Sequence, residues 1–400
     1  MGFQQLLLSM MRKSVKSLQN MLNELSVELN TEPMSASAYS QARQQLSHTA
    51  FIELNREIIV SAYMSEAPKR YKGMRVLAGD GTRIRLPEHP SIRKEFGGIA
   101  TCTGEDDTVV GDYLCSQGYV LHDVLNKVAI DAQMGRSDAY EVDQAIQSLD
   151  YTEADDLLLY DRNFASYRFL ATLTKRQRNF VIRCSSGSFG AAQRLFAADQ
   201  ETSEVVTLSA PTGKKRAIEQ EGLPLSITLR FVTVRLSTGE LEILATSLLD
   251  EETFPTPDFK EIYNLRWGVE TLYDLLKNRL SLENFSGKTA EAIRQDFHAA
   301  IFISGLESLL TQEADDLLLE RSQHNKLGQT VNNMVSFHAI KLQVFRLLYS
   351  DDDPQTLLDN LTQLFLMNPT YTNRNRDVPR RKSSPTKSLS YHKRLRKHCF

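Results

Sequence analysis

Apolar and polar positions follow two different periods along this chain of 400 residues, and the change of period divides it. Residues 1 to 70 carry a helical spacing. An opening amphipathic segment (MGFQQLLLSMM onward) is interrupted at TEPMSAS. A short helix follows around Tyr39 to Leu46, then a longer one from Thr49 to Ala62 with Thr49 as N-cap. From Met74 the period falls to two. MRVLAGDGTRIRLP predicts a strand bent near Gly79 to Gly81, with Ile84 and Leu86 alternating against Arg83 and Arg85. The Gly- and Asp-containing stretch GGIATCTGEDDTVVGD predicts a loop, with strands after it at 113–123 and 127–134.

Next comes SDAYEVDQAIQSL, a helix capped by Ser137, and then DDLLLYDRNF, whose run from Leu157 to Tyr160 is continuously apolar, as a buried central strand requires. A helix from Ser166 to Lys175 and a strand from Asn179 to Arg183 complete a βββαβαβ order. Residues 185–256 change texture. EVVTLSA, LPLSITLRFVTVRL and LEILATSLL read as strands, the last two joined through STGE as a hairpin turn. Helices return from Pro257 to Leu280, from Thr289 to Glu313, and onward to residue 366.

Composition narrows the class. With 41% hydrophobic and 24% charged residues, the chain is expected to be a soluble globular protein of two or three domains, with no membrane-spanning segment. The N-terminal stretch lacks a basic segment before its short apolar run, so a helix of the mature protein is expected there, not a secretory signal. Cys102, Cys115, Cys184 and Cys399 are scattered without a CxxC pair, which predicts a reducing, cytoplasmic location and no zinc site.

A net charge of −3 argues against nucleic acid until its distribution is read. Residues 371–400 hold ten Lys or Arg and one acid (Asp377), which is +9, so the other 370 residues carry −12. Such a tail is expected to be disordered alone, and serves either salt-sensitive phosphate contact or solubility.

Candidate chemistry lies in YNLRWGVETLYDLLK. In one continuous helix Tyr263, Arg266, Glu270 and Lys277 fall within an arc of roughly 60°. Glu and Lys on a helix are ordinarily a solvated face. Here, however, Ile262, Leu265, Val269, Leu272 and Leu276 form a neighbouring apolar stripe, which would dock the helix and leave the polar four at the border of a core. Trp267, the only tryptophan, is expected to pack beside that stripe, the alternative being a platform for a displaced base.

Two further acids stand out by position: Asp80 in LAGDGT, where the first strand pauses, and Asp161 directly after LLLY. Asp near Gly or after a strand is often turn chemistry alone. At the end of a central strand, though, it faces the crevice where ligands bind. Together with Glu270 these acids form an all-oxygen set suited to Mg²⁺ or Mn²⁺. Two such ions stabilise both the attacking and the leaving oxygen of a phosphoryl displacement.

In these residues the chain resembles the DDE transposases of bacterial insertion sequences, specifically the insertion-sequence-four family. That family's signature is Tyr, two residues, Arg, three residues, Glu, six residues, Lys, and Tyr263, Arg266, Glu270 and Lys277 fit it at every position. Asp80 with Gly81 and Thr82, and Asp161 with Arg162 and Phe164, resemble the family's two other acids, Asn163 being a mild departure from its usual small residue.

The resemblance covers about 74–310 and implies an α/β fold. It would be a ribonuclease-H-like catalytic core interrupted by a β-rich insertion, with helical N-terminal and C-terminal regions. The implied division is a helical DNA-end-binding region at 1–70, core at 71–184, insertion at 185–256, core with the signature helix at 257–310, helices at 311–370 and the basic tail at 371–400.

It also implies cut-and-paste transposition, in which Asp80, Asp161 and Glu270 hold two Mg²⁺ or Mn²⁺ ions while Tyr263, Arg266 and Lys277 contact the phosphates of the transposon end. The partners it implies are double-stranded DNA, both terminal inverted repeats and target, and a second copy of the chain in a synaptic homodimer. No membrane is involved, and the place of action is the cytoplasm at the nucleoid. The alternatives are a catalytically silent DNA-binding relative and a non-transposing nuclease of the same fold.

Overall fold

The computed structural model describes residues 2–12, 17–103, 108–236, 239–349 and 353–373. The chain forms two compact units. One comprises the described parts of Met1–Glu66, Arg83–Ser116 and Asp274–Phe400, the other Ala67–Thr82 and Gln117–Tyr273. The strands are β1 (Arg75–Arg85), β2 (Gly98–Thr103), β3 (Thr108–Asp123), β4 (Val128–Gly135), β5 (Asp156–Tyr160), β6 (Asn179–Cys184), β7 (Ser203–Ser209), β8 (Ser226–Arg235) and β9 (Leu241–Thr246).

The unit that holds Asp80, Asp161 and Glu270 is built on a sheet in the order β4-β3-β1-β5-β6-β9-β8-β7, to which β1 contributes up to Thr82 and β3 from Gln117. Its β4-β3-β1-β5-β6 part has the ribonuclease-H-like order. β3 and β4 are antiparallel, while β1, β5 and β6 run parallel. Leu157 to Tyr160 are fully buried, as expected for a central strand covered on both faces. At the strand's start Arg75 Nε and Nη2 each lie 2.6 Å from an oxygen of its register partner Asp156, a buried two-point ion pair. The insertion extends this sheet: β9 pairs antiparallel with β6, and β8 and β7 follow outward.

The strand predicted to bend at Gly79–Gly81 is unbroken from Arg75 to Arg85. Its glycines serve a close approach instead. A Cβ on Gly79 would stand 2.3 Å from both Tyr119 Oη and Tyr160 Cε1. Those two rings, with Phe164 and Phe169, form an aromatic cluster in the core.

In the other unit the long helix Ala290–Arg321 is the organising element, with Thr289 as its N-cap. Arg43 of the helix Ala36–Gln44 is buried against it, bonding Asp296 Oδ1 at 2.7 Å, Gln295 Oε1 at 2.6 Å and the Ala292 carbonyl at 2.8 Å. Gly305 admits Ile59, whose Cγ2 would lie 2.6 Å from a Cβ there. Ala314, Leu318, Val331, Ile340, Leu361 and Phe365 form an apolar cluster towards the C-terminal end.

Several boundaries differ from the reading of the sequence. The stretch expected to be a loop at 97–112 forms β2 and the start of β3, paired from Gly98↔Leu114 to Thr103↔Thr108. Its glycines and aspartates masked a pattern supplied by pairing. Ser137 is buried and is not the N-cap, since the helix begins at Glu141 with Tyr140 in that position. His48, not Thr49, precedes the helix at Thr49, which passes through a π segment (Asn55–Val60) before ending at Ser65. Nearly all of the basic tail, from 374 onward, lies outside the described residues, as do Ser237 and Thr238 of the STGE turn. Cys115 and Cys184 are buried free thiols. No described helix is long and apolar enough to cross a membrane.

Candidate active site

Register places the first two acids. β1 and β5 are parallel with Ala78 opposite Leu159, so Asp80, two residues on in β1, and Asp161, directly after the end of β5, emerge at the same end of neighbouring strands, and the Asp161 charge bears on the Asp80 carboxyl. Asp80 is therefore inside a strand, not at a pause. Asp161 leaves its strand as N-cap of the short turn Arg162–Phe164. Each carboxylate is oriented by a backbone N–H that follows it: Gly81 N donates to Asp80 Oδ1 at 2.9 Å and Asn163 N to Asp161 Oδ1 at 2.8 Å.

The signature stretch is not the single helix predicted from Pro257 to Leu280. It consists of Asp258–Asn264, Trp267–Asp274 and a π segment, Leu275–Arg279. Between the first two, N–H groups of Arg266, Gly268 and Val269 bond carbonyls three residues back, which overwinds the backbone. The 60° arc assumed uniform α-helical winding. Gly268 lets the second segment approach the β3–β4 turn, since a Cβ there would lie 2.9 Å from Val124 Cβ.

That segment carries Glu270 towards the sheet acids through Arg266. Arg266 Nη2 donates to Glu270 Oε1 at 2.7 Å, and Nη1 lies 3.9 Å from Asp80 Oδ2. Burial pushes the Asp80 carboxyl up to about 7, Arg266 opposing and Asp161 reinforcing the shift. Tyr273 donates from its hydroxyl to the Asp80 carbonyl at 2.7 Å.

Tyr263 is only 5% exposed, and its hydroxyl has no hydrogen-bond partner among the described residues. Arg266 Nε is likewise without one. Burial raises the Tyr263 phenol well above its ordinary range, Arg266 opposing. Trp267, expected to pack, is 41% exposed, and the Arg266 guanidinium lies 5.1 Å from its ring centroid.

Five of the six predicted residues thus belong to one unit. The sixth, Lys277, belongs to the other, where its Nζ donates to the Arg83 carbonyl at 2.8 Å and burial lowers its pKa.

Residues 71–306 match the sequence model of the transposase DDE domain. The chain belongs to the DDE transposase family. Over 296 residues it is 23% identical to transposase InsG for insertion sequence element IS4 of Escherichia coli (strain K12), an alignment covering 72% of this chain and 64% of that protein. The chain therefore spans less than two thirds of the relative it matches. A solved piggyBac transposase synaptic complex with hairpin DNA aligns over 90% of this chain and 74% of its own, at 10% identity and a TM-score of 0.45.

DDE transposases use divalent metal ions, and the donor chemistry here fits one. Asp80, Asp161 and Glu270 offer only oxygens, and Asp80 is a partly buried acid with Arg266 Nη1 3.9 Å from its Oδ2. Among the described residues no three His, Cys, Asp or Glu side chains are grouped closely enough to hold a metal ion. Glu270 is instead engaged by Arg266. Sequence reasoning missed Tyr273, and also Gln117 and Glu141, which line the other side of Gly81. Tyr273 lies within the signature stretch but at none of its four defining positions, Gln117 and Glu141 lie in no motif, and only the fold brings them to Asp80 and Gly81.

Proposed function

We propose that the protein is a metal-dependent transposase of an insertion sequence that binds terminal inverted repeats and moves DNA by cut and paste. The observation that carries this reading is the meeting of two strand-end acids with buried donors that have no partner among the described residues. Asp80 and Asp161 emerge at the same end of neighbouring strands, and near them two buried donors, Tyr263 Oη and Arg266 Nε, have no acceptor among the described residues. Buried donors without partners are costly, and phosphate oxygens supply what they lack.

In this reading Asp80, Asp161 and Glu270 hold two Mg²⁺ or Mn²⁺ ions, which when bound activate the attacking oxygen and stabilise the leaving one. Arg266 exchanges Glu270 for a phosphate of the transposon end. Tyr263 donates to the same backbone without adding charge. Lys277 contributes a further cation to that end, and Tyr273 fixes the β1 backbone under Asp80 by its bond to the carbonyl.

Two in-line displacements follow, first by water to nick the end, then by the freed 3′-hydroxyl. The helices of residues 1–70 are assigned to reading the repeats, and a homodimer to holding two ends together.

The test is a mini-element with its native ends, incubated with protein and Mg²⁺. Excision and joining by wild type, lost in both Glu270→Ala and Asp161→Ala, support the reading. Undiminished cleavage by either variant overturns the assignment of the acids, and cleavage without joining makes the protein a nuclease. Removing residues 1–70 should abolish end-specific binding.

A further inference from the structure

Arginines of the sheet unit are largely matched by acids. Arg168 pairs with Asp143 and Glu221, Arg176 with Asp150, Arg194 with Glu204 and Arg235 with Asp199. One run in the insertion is not matched. In PTGKKR, Lys214, Lys215 and Arg216 are all exposed, and none of the three side chains has a hydrogen bond or ion pair among the described residues. Glu219 stands four residues after Lys215, a spacing that permits a pair, yet the two make none.

The run is held in place by its surroundings. Thr212–Lys214 form one turn of 3-10 helix and Lys215–Gln220 a short α-helix. Ile218, 3% exposed, anchors that helix, and beyond it Leu223 N donates to the Ile218 carbonyl at 3.0 Å. On either side Ala210 N donates to the Leu225 carbonyl and Tyr167 Oη to the Pro224 carbonyl, each at 2.9 Å. Cations on such a fixed support lose less freedom on binding than cations on a loose loop.

Local stability does not account for the order of charges. A helix favours acids at its start and cations at its end. Here Lys214, Lys215 and Arg216 stand at the start, and Glu219 and Glu221 at the end. Three neighbouring cations also repel one another, so the run gains when an anion lies against it.

Register fixes where the run lies. Leu159 of β5 is opposite Val181 of β6, which leads through Thr246 of β9 and Arg230 of β8 to Val205 of β7. From that line Asp161 lies two residues towards one end of the sheet, and Ser209, from which the run leads off, four residues towards the other. At about 3.3 Å per residue this is about 20 Å along the strands, in addition to the step across from β5 to β7. The run is therefore too far from the acids to grip the phosphate being cut.

We propose that Lys214, Lys215 and Arg216 form an accessory contact for backbone phosphates of duplex DNA, remote from the end being cut. This rests on the reading of the protein as one that binds DNA. The run has no aromatic or amide side chain to face a base, so the contact adds affinity and not sequence preference.

The experiment is an anisotropy titration of the full-length protein with a random-sequence duplex of about 40 base pairs, across a salt series. It compares wild type with the triple variant Lys214→Gln, Lys215→Gln, Arg216→Gln. A control triple, Lys288→Gln, Arg321→Gln, Lys326→Gln, removes the same charge from exposed residues elsewhere. A third triple, Lys214→Arg, Lys215→Arg, Arg216→Lys, keeps the charge in place. Each is first melted without DNA.

The first triple should melt at or above the wild-type temperature. It should bind about tenfold more weakly at about 0.1 M salt, with a slope of log affinity against log salt shallower by about 2–3. The control should change much less, and the charge-keeping triple should bind as wild type does. Wild-type affinity and slope in the first triple, or equal losses in it and the control, would overturn this inference alone. A loss seen with single-stranded RNA and not with the duplex would give the run another partner and overturn it likewise. Wild type that binds no duplex at any salt would overturn the DNA-binding reading and this inference with it.

Discussion

Arg266 ion-pairs with Glu270, the guanidinium nitrogen 2.7 Å from the carboxylate, and the same guanidinium reaches to 3.9 Å from Asp80. The side chain is 4% exposed, while that of Glu270 is 37% exposed. One buried positive charge therefore lies against acids of both helix and sheet.

Replacing Arg266 by Ala should consequently cost stability as well as DNA contact. A fully buried pair that loses one partner costs about 3–5 kcal/mol, and the partial exposure of Glu270 reduces this to about 1–2 kcal/mol. Urea denaturation in chelator measures it. A variant as stable as wild type would show that the pair contributes nothing.

Gly79→Ala tests the close approach in β1. The new methyl meets Tyr119 and Tyr160 at 2.3 Å, inside a core that cannot yield freely, and a loss of about 1–3 kcal/mol or more is expected. Gly187→Ala is the control, with nothing within 4 Å and an expected change within about 0.5 kcal/mol. Equal melting temperatures for the two variants would contradict the packing described.

His122 should make the protein acid-sensitive. The residue is 3% exposed, its Nδ1 has no partner among the described residues, and burial lowers its pKa from 6.5 to about 3. The unfolded chain then binds a proton that the folded chain refuses between those values. Stability is thus full above the unfolded pKa of 6.5 and falls as pH drops towards 3, by an amount on the order of a few kcal/mol. His122→Asn should flatten the slope of stability between pH 6.5 and 4, and an unchanged slope would assign the sensitivity to other groups.

Trp267 is a built-in reporter, being the only tryptophan, 41% exposed and next to Arg266. Addition of duplex carrying the element's end should change its fluorescence at low salt, and the change should weaken as salt rises. A spectrum indifferent to saturating DNA would place the bound end away from this residue.

What could be read from the chain was local. The apolar run Leu157–Tyr160 announced a strand covered on both faces, Asp161 followed it directly, and the spacing of Tyr263, Arg266, Glu270 and Lys277 carried the resemblance to a family that the match over 71–306 bears out. These signals survive because burial and short-range spacing are written in consecutive residues. Elements such as β2 were illegible, since a Gly-rich stretch becomes a strand through the partner it pairs with.

The rest depended on tertiary structure. The emergence of Asp80 and Asp161 at the same end of neighbouring strands comes from the parallel register that sets Ala78 opposite Leu159, residues far apart in the chain. The winding of the signature stretch, its crossing from one compact unit to the other before Lys277, and the approach of Glu141 past Gly81 likewise arise from packing. The sequence by itself determined which acids and donors this protein carries and the family it belongs to. Only the tertiary structure decided which of them meet, because strand register and the space left by an absent side chain are properties of contacts between distant residues.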